Sequence, residues 1–303
     1  DRAGVIPGYN TADATLWYFV SLDAYRAATG DGALVAELLP TLVAIVERHR
    51  HGTRYRIGVD PADGLLHAGE PGVQLTWMDA KVDDWVVTPR IGKPVEINAL
   101  WYNALRILAR FLADRGDPAA AAYEAEAARV RASFRARYIL PGGGLADVID
   151  GPEGDDRAVR PNQIFAVALP FPLLEGDEAA AVVATVGRAL LTSYGLRSLA
   201  PDDPHYWGDY GGDRVRRDGA YHQGPVWTWL IGAHAEAHFR VHGDRDAALA
   251  LLKPFRDHLA DACIGSISEI LEGDPPHAAR GAVAQAWGVA EVLRLWRWLA
   301  ERA

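Results

Sequence analysis

Apolar residues recur at helical spacing along most of the chain, and Gly-Asp dipeptides separate the helical stretches. The dipeptides are Gly30-Asp31, Gly116-Asp117, Gly176-Asp177 and Gly243-Asp244. Glycine adopts the left-handed conformation that closes a helix. Aspartate accepts hydrogen bonds from the free N–H groups that open the next helix. Each dipeptide therefore predicts a tight turn between two helices.

This pattern predicts four helical hairpins followed by an unpaired helix. The hairpins pair residues 11–29 with 32–51, 94–115 with 118–138, 161–175 with 178–194 and 225–242 with 245–262, and the unpaired helix is 280–302. Hairpins of this kind bury a shared core only by packing on their neighbours. We therefore predict an all-α fold, an (α/α) toroid of the six-hairpin type, as a single domain over residues 1–303. A six-hairpin ring needs twelve helices and the pattern provides nine, so the first helices of the ring are expected to be missing.

Long connections join the predicted hairpins, and they are expected to meet at the end of the bundle opposite the tight turns. These connections are residues 52–93, 139–160, 195–224 and 263–279. Long loops that are dense in aromatic and charged residues are usually functional. Residues 73–103 fit this description best, with Trp77, Trp85 and Trp101 among many charges. The alternative is a loop whose tryptophans only cover a helix end.

Composition narrows the classes of function. The chain has 303 residues, half of them hydrophobic, and a net charge of −9, which argues against a nucleic-acid partner. No stretch reaches the ~18 apolar residues of a membrane span, and no signal peptide is visible. One cysteine cannot form an internal disulfide, which fits a reducing compartment. We therefore expect a cytoplasmic protein without a membrane partner.

Two carboxylates in the connections are candidate catalytic groups. Asp79 lies in the first connection, and Glu269 lies in the last one, just past a predicted helix. Because both connections are expected at the same end, the two side chains can approach each other. Glycoside hydrolysis uses such a pair, in which one acid protonates the leaving oxygen and the other activates water or attacks. The acidic residues of 147–156 are instead predicted to form a solvated loop.

Histidine and aromatic residues offer further candidates. Residues 221–227 combine tyrosine, histidine, glutamine and tryptophan at the entry of a helix, a set that suits sugar hydroxyls. His234, His238 and His242 recur every four residues on one helix face, a spacing that can hold a metal. No acidic or cysteine ligand accompanies them at matching spacing, so packing is the prediction. Metal-dependent chemistry at this face remains an alternative.

Leu75–Asn103 closely resembles the signature of the C-terminal amylo-α-1,6-glucosidase domain of glycogen-debranching enzymes. Shorter similarities follow in the same order along the chain, in Tyr9–Trp17, Pro161–Phe165, Tyr221–Trp227, Gly265–Glu269 and Arg280–Ala290. The resemblance covers nearly the whole chain. It implies an (α/α) toroid of six hairpins that hydrolyses, with inversion, the α-1,6-linked glucosyl stub of a branched α-glucan.

The resemblance also implies roles for individual residues. Asp79 corresponds to the general acid, Glu269 to the general base and Asp13 to a ligand of a sugar hydroxyl. Further substrate-binding residues implied by it are Trp77, Lys81, Arg90, Tyr221, His222, Trp227, Gln285 and Trp287. No metal and no organic cofactor is implied, and the expected partner is a branched α-glucan.

The chain departs from the family pattern at two points. Asp83 stands where the signature has a glycine, and helices normally precede the Tyr9–Trp17 motif. An N-terminal segment or domain outside this chain is therefore expected. Two alternatives remain open: another glycosidase on the same scaffold, trehalase-like or an exo-α-glucosidase, and a truncated glucan-binding domain without catalysis.

Overall fold

The computed structural model describes residues 8–262 and 264–302. Its helices are α1 Ala14–Thr29, α2 Gly32–His51, α3 Val95–Ala113, α4 Ala120–Tyr138, α5 Phe165–Ala168, α6 Gly176–Ala189, α7 Arg214–Ala220, α8 Leu230–His242, α9 Arg245–Ala250, α10 Phe255–His258 and α11 Ala286–Ala300. Its strands are β1 Gly58–Val59, β2 Leu66–His67, β3 Lys81–Val82, β4 Trp85–Val86, β5 Lys93–Pro94, β6 Val148–Gly151, β7 Gly154–Asp156, β8 Leu191–Thr192, β9 Gly195–Arg197, β10 Val226–Trp227, β11 Ile270–Leu271 and β12 Ala279–Arg280. Short 3₁₀ turns occupy Arg54–Arg56 and Pro161–Ile164.

The prediction of an all-α toroid is wrong, because the strands form four small antiparallel sheets. The largest has the order β12-β11-β10-β9-β8, and the others are β5-β6-β7, β1-β2 and β3-β4. Most of these strands lie in the long connections or at their borders. They were missed because strands of two to four residues are too short to produce an alternating apolar pattern.

The tight turns were predicted correctly at three of the dipeptides. Gly30, Gly116 and Gly243 have left-handed φ angles of 72°, 71° and 67°. The aspartate that follows each glycine accepts a hydrogen bond from a backbone N–H at the start of the next helix. Gly176 differs because it is itself the first residue of α6. The helix before it, α5, ends early because prolines within residues 169–172 cannot continue it.

The core is built around α3, which is buried on nearly every side and packs against α4, α1 and α2. Trp101 is fully buried there and donates its indole N–H to the carbonyl of Gly64 at 3.2 Å. Trp101 is therefore a packing residue. Within residues 8–262 and 264–302, no helix combines the length and the hydropathy needed to cross a membrane.

A second apolar cluster joins α8 to α9, α10 and α11. Glu236 of α8 accepts hydrogen bonds from Arg240 and from Arg294, which fixes α11 against α8. His234 is buried on α8, and burial together with His238 lowers the pKa of His234 to about 4. Among the residues that the structure describes, no three potential metal ligands lie close enough to hold an ion.

The sheets bring the long connections together in pairs. β5 pairs with β6, so that Lys93 lies opposite Ile149, and β10 pairs with both β9 and β11. The first pairing joins connections 52–93 and 139–160, and the second joins the borders of 195–224 and 263–279. The buried ammonium of Lys93 reinforces the first junction, because it lies 2.7–2.8 Å from carboxylate oxygens of Asp60, Asp63 and Asp150.

Candidate active site

Asp79 lies in an irregular segment that leads into β3, directly after the buried residues Trp77 and Met78. The backbone N–H of Ala12 donates to the carbonyl of Leu75 at 2.7 Å and fixes this segment against the start of α1. Asp79 is exposed to solvent, whereas its neighbours Trp77, Met78 and Ala80 are buried. Its pKa is raised by burial, and also by the nearby charges of Asp13 and Glu269. Asp13 and Glu269 therefore lie close enough to Asp79 for their charges to affect its protonation.

Asp13 occupies the N-cap position of α1 but does not cap the helix with its side chain. The Thr11 hydroxyl accepts a hydrogen bond from Ala14 N at 3.3 Å and donates one to Asp13 Oδ1 at 2.5 Å. Burial raises the pKa of Asp13. A carboxylate at a helix N-terminus that is not used for capping is available to a ligand.

Glu269 immediately precedes β11, and both of its carboxylate oxygens accept hydrogen bonds. The Tyr221 hydroxyl donates to Oε1 at 2.5 Å, and the backbone N–H of Ala282 donates to Oε2 at 2.8 Å. Gly281 has a φ of 66°, and a Cβ atom at that position would collide with Oε2 of Glu269. Burial and the Glu269 charge raise the pKa of Tyr221, so its hydroxyl remains a donor. These two hydrogen bonds and the close approach of Gly281 therefore hold the Glu269 side chain in one orientation.

A cluster of aromatic rings packs around Trp77, two residues before Asp79. The ring of Trp77 meets those of His222, Trp227 and Trp229 edge-on, with centroids 5.2–5.4 Å apart. His222 stacks on Trp227 at 5.1 Å and is fully buried. Burial, assisted by Arg160 and Arg90, lowers the pKa of His222 to about 3, so its ring is neutral. Trp77 and Trp227 expose only 8% and 3% of their surface. Trp77, His222 and Trp227 were predicted to bind substrate, but they are buried and present almost no ring surface to solvent.

Trp287, Gln285 and Lys81 lie in different surroundings. Trp287 is 48% exposed and packs edge-on against Trp229, with ring centroids 5.5 Å apart. Gln285 caps α11, because its side-chain oxygen accepts from Trp287 N at 2.7 Å. Lys81 Nζ donates to the carbonyl of Gly72 at 2.8 Å. Of these three predicted binding residues, Trp287 offers an exposed ring for stacking.

Arg90 is buried and is fully engaged within the protein. Its guanidinium donates to Glu96 and Asp147, including contacts at 2.6 Å to Glu96 and 2.7 Å to Asp147, and also to Thr76 at 3.3 Å. Burial opposes the charge, but Asp147 and Glu96 raise the pKa of Arg90 above its usual value. These bonds use all five N–H groups of the guanidinium. Arg90 therefore supports the site from inside the protein, through its bonds to Glu96, Asp147 and Thr76.

Asp147 is buried, contrary to the prediction from the sequence. It was predicted to lie in a solvated acidic loop, but it is 2% exposed. Asn162 donates to Asp147 Oδ1 at 2.8 Å and accepts from the indole N–H of Trp77 at 2.7 Å. A buried chain of hydrogen bonds thus runs from Arg90 through Asp147 and Asn162 to Trp77. The only sequence signal for it was Asn162, which lies in the Pro161–Phe165 motif.

Two further positions gain an explanation from the structure. Tyr210, which the sequence analysis did not select, lies with its ring 5.4 Å from that of Tyr221. Burial raises the pKa of Tyr210, and the Glu269 charge adds to this effect.

Asp83 begins the two-residue turn between β3 and β4 and has a φ of 51°. A glycine in the signature suits this left-handed position, which aspartate also tolerates.

Two carboxyl groups in contrasting surroundings are typical of the sites of glycoside hydrolases. The exposed indole of Trp287 packs against Trp229, which in turn packs against Trp77. Comparison with protein families agrees, since the amylo-alpha-1,6-glucosidase family matches residues 1–294. The chain belongs to this family. It is therefore related to the glycoside hydrolases of glycogen debranching.

Individual relatives are more distant. The chain is 23% identical to the glycogen debranching enzyme of Saccharomyces cerevisiae over 330 aligned residues, which cover 79% of this chain and 21% of the yeast protein. It thus spans about a fifth of the length of that relative. Among solved structures, a sialidase superposes with a TM-score of 0.63 at 12% identity, covering 88% of this chain and 24% of the sialidase chain. At this identity the likeness concerns the fold alone.

Proposed function

We propose that this chain is an inverting glucosidase that releases glucose from α-1,6 branch stubs of glycogen-like glucans. Asp79 is the general acid and Glu269 the general base. The observation that carries this proposal is the contrast between two carboxylates that share one site. The pKa of Asp79 is raised, whereas Glu269 is held by two hydrogen-bond donors.

A general acid must carry a proton at the working pH. Burial and the charges of Asp13 and Glu269 disfavour the ionised form of Asp79, so its proton is retained to higher pH than in an ordinary carboxyl. Among the described residues, no other side chain donates a hydrogen bond that would stabilise the Asp79 carboxylate. Asp79 can therefore give its proton to the glycosidic oxygen as the bond to the leaving glucan breaks.

A general base must be ionised and correctly aimed. The donors on Oε1 and Oε2 fix the orientation of the Glu269 side chain and leave further lone pairs for a water molecule. In the proposed reaction Glu269 takes a proton from this water as its oxygen attacks the anomeric carbon from the face opposite the leaving group. The product is glucose with inverted configuration. Inverting enzymes place the two carboxyls about 6.5–9.5 Å apart to accommodate that water.

The remaining candidates have graded roles in this proposal. Asp13 accepts a hydrogen bond from a sugar hydroxyl, because its carboxylate is not used in helix capping. Trp287 stacks on a sugar ring with its exposed indole. Tyr221 orients Glu269. The partner in this proposal is the branched α-glucan itself, and the cytoplasmic location remains a prediction.

Glucose release tests the proposal directly. The substrate is a phosphorylase limit dextrin that has been treated with a glucanotransferase, which leaves single α-1,6-linked glucosyl stubs. The chain should release glucose, and its Glu269→Gln variant should lose this activity while it still binds the dextrin. A folded wild-type chain that binds dextrin without releasing glucose would favour a non-catalytic glucan-binding domain.

Stereochemistry tests the inverting mechanism separately. Proton NMR of the first product, recorded before mutarotation, should detect β-glucose. First-formed α-glucose would exclude inversion while leaving the glucosidase assignment intact. A panel of trehalose, maltose and isomaltose would distinguish the proposed activity from that of another glycosidase with the same pair of acids.

A further inference from the structure

Two exposed indoles converge on one glycine beside the candidate site. Trp85 lies on β4 and is 46% exposed, and Trp207 lies in the connection before α7 and is 37% exposed. Both rings lie against Gly219 of α7. A Cβ atom on Gly219 would be 2.9 Å from Cη2 of Trp85 and 3.6 Å from Cζ3 of Trp207. We call Trp85, Trp207 and Gly219 the indole platform.

The indole platform is continuous with the candidate site on both sides. Trp85 belongs to the β3–β4 hairpin, which begins two residues after Asp79. The apolar residues Ala80, Val82 and Val87 of this hairpin pack against Tyr221. On the other side, Trp207 N donates to the carbonyl of Gln223 at 2.6 Å. Gln223 follows closely after Tyr221, whose hydroxyl holds Glu269. The platform is therefore built on the same segments that position the two acids.

Polar contacts fix the platform in place, and both indoles stay partly exposed. Arg214 of α7 forms an ion pair with Asp83 at 3.3 Å and so ties the turn of the hairpin to α7. The guanidinium of Arg216 lies 5.9 Å from the ring centre of Trp207. Large exposed aromatic surface is costly in water unless something binds it, and tryptophan is enriched where binding energy is concentrated. Flat indole faces suit the apolar faces of sugar rings.

We infer that the indole platform binds the glucan on the leaving-group side of the scissile bond. This inference rests on the proposed function. The general acid protonates the oxygen that departs with the leaving glucan, and the hairpin that continues directly from Asp79 carries Trp85. The occupant is therefore the α-1,4-linked chain to which the glucosyl stub is attached. The platform selects a branched polymer over a glucoside with a small leaving group.

Kinetic selectivity tests this inference. We compare Trp85→Ala and Trp207→Ala on the treated limit dextrin and on α-glucosyl fluoride, which has no leaving glucan. The ratio of kcat/KM for dextrin to kcat/KM for the fluoride should fall roughly tenfold or more, mainly through the KM for dextrin. Trp296→Ala is the matched control, because Trp296 is a 61% exposed tryptophan on α11. An unchanged ratio in both platform variants would overturn the inference.

A second variant keeps both indoles but separates them. Gly219→Ala introduces a methyl group that meets the Trp85 ring, and it should lower the same ratio with an unchanged circular dichroism spectrum. Retardation by glycogen in native gel electrophoresis adds a readout that needs no hydrolysis. Retardation that is lost in a Trp85→Ala/Trp207→Ala double variant, in a chain that releases no glucose, would support the platform and refute the proposed function. A wild-type chain that is not retarded and has no selectivity for dextrin would refute the platform.

Discussion

The surroundings of Asp79, in the irregular segment before β3, differ from those of Glu269, just before β11. Asp79 follows a buried aromatic segment and has neighbouring negative charges in Asp13 and Glu269. Glu269 immediately precedes β11, and its two carboxylate oxygens accept hydrogen bonds from Tyr221 and Ala282. The surroundings of Asp79 disfavour the ionised form of its carboxyl group, whereas the donors around Glu269 orient its carboxylate. In the proposed reaction, this difference suits the two carboxyl groups to two different proton transfers.

The supports of the two acids also differ. Beneath Asp79 lies a chain of buried polar groups that links Arg90, Asp147 and Asn162 to Trp77. Glu269 instead depends on backbone pairing, because its N–H donates to the carbonyl of Ala282 at 2.9 Å and the strand that follows it, β11, pairs with β10. Substitutions of supporting side chains should therefore disturb the segment around Asp79 more than the segment around Glu269.

The largest expected effect separates the roles of the two acids. Asp79→Asn should lower kcat on the treated dextrin about 10²–10⁴-fold, because the leaving oxygen is no longer protonated. The same variant should lose much less activity on α-glucosyl fluoride, since fluoride departs without that proton. Glu269→Gln should lose activity on both substrates, because both need an activated water. Measurements of kcat for the two variants on the two substrates check this expectation.

Asp84→Asn is the control for that experiment, because Asp84 is an exposed acid in the same loop. Its activity should match that of the wild-type chain on both substrates. Equal losses of Asp79→Asn and Glu269→Gln on the fluoride would contradict the assignment of acid and base.

The next effect concerns stability and the support of the loop. Arg90→Met leaves Glu96 buried without its counter-charge and leaves Asp147 with only the more distant Arg160, at 3.8 Å. This loss should lower the free energy of unfolding by about 3–5 kcal/mol. Arg137→Met is the control, because Arg137 forms a half-exposed ion pair with Asp150 at 2.7 Å. Such a pair contributes about 0–1 kcal/mol. Urea denaturation followed by circular dichroism measures both, and similar losses would show that the buried network does not support the fold.

A smaller effect concerns the orientation of Glu269. Tyr221→Phe removes the hydrogen bond to Oε1, and a hydrogen bond to a charged group contributes about 1.5–3 kcal/mol, so kcat should fall roughly tenfold or more. Tyr210→Phe removes a neighbouring hydroxyl that makes no such bond and should leave kcat nearly unchanged. A rise in KM with constant kcat would instead make Tyr221 a sugar ligand.

The pH dependence of kcat tests the electrostatic part of the comparison. In the proposed mechanism Asp79 works as the protonated acid, so its raised pKa should extend activity towards higher pH. Since the charge of Asp13 helps to raise that pKa, Asp13→Asn should move the high-pH limb of the kcat profile towards lower pH. Asp84→Asn again serves as the control. A limb that stays in place would mean that Asp13 does not act on the group that titrates.

The smallest effect is a gain in stability. A raised pKa means that Asp79 binds its proton more tightly in the folded state, so the stability of the fold decreases as pH rises from the usual aspartate value through the raised one. Asp79→Asn should therefore raise the Tm slightly at neutral pH, and the gain should vanish in acid, below the usual aspartate pKa. Differential scanning fluorimetry at several pH values measures this, and a lower Tm at neutral pH would contradict it.

Local features were predicted well because their physics is local. The turns at Gly30, Gly116 and Gly243 depend on the left-handed φ of glycine and on an aspartate that accepts from the next helix. No partner distant in sequence is needed for them. The sheets were not predicted, because strands such as β10 and β11 consist of two residues and exist only through their partners.

The candidate site divides in the same way. The motifs and their chain order suggested Asp79 and Glu269 as the catalytic pair, and the Glu269 charge contributes to the raised pKa of Asp79. The same motifs also suggested Arg90, His222 and Trp227 as sugar ligands, but these residues are buried. A motif identifies residues that belong near a site without telling the exposed ones from those that support them.

The sequence by itself determined where the hairpin turns fall, which loops carry the acids and which family the chain resembles. These properties depend on residue type and on spacing along the chain. Only the tertiary structure decided that Asp147 is a buried partner of Arg90, that Tyr221 orients Glu269 and that Trp85 and Trp207 meet at Gly219. Burial, pKa and orientation arise from contacts between segments far apart in the sequence, so no local pattern records them.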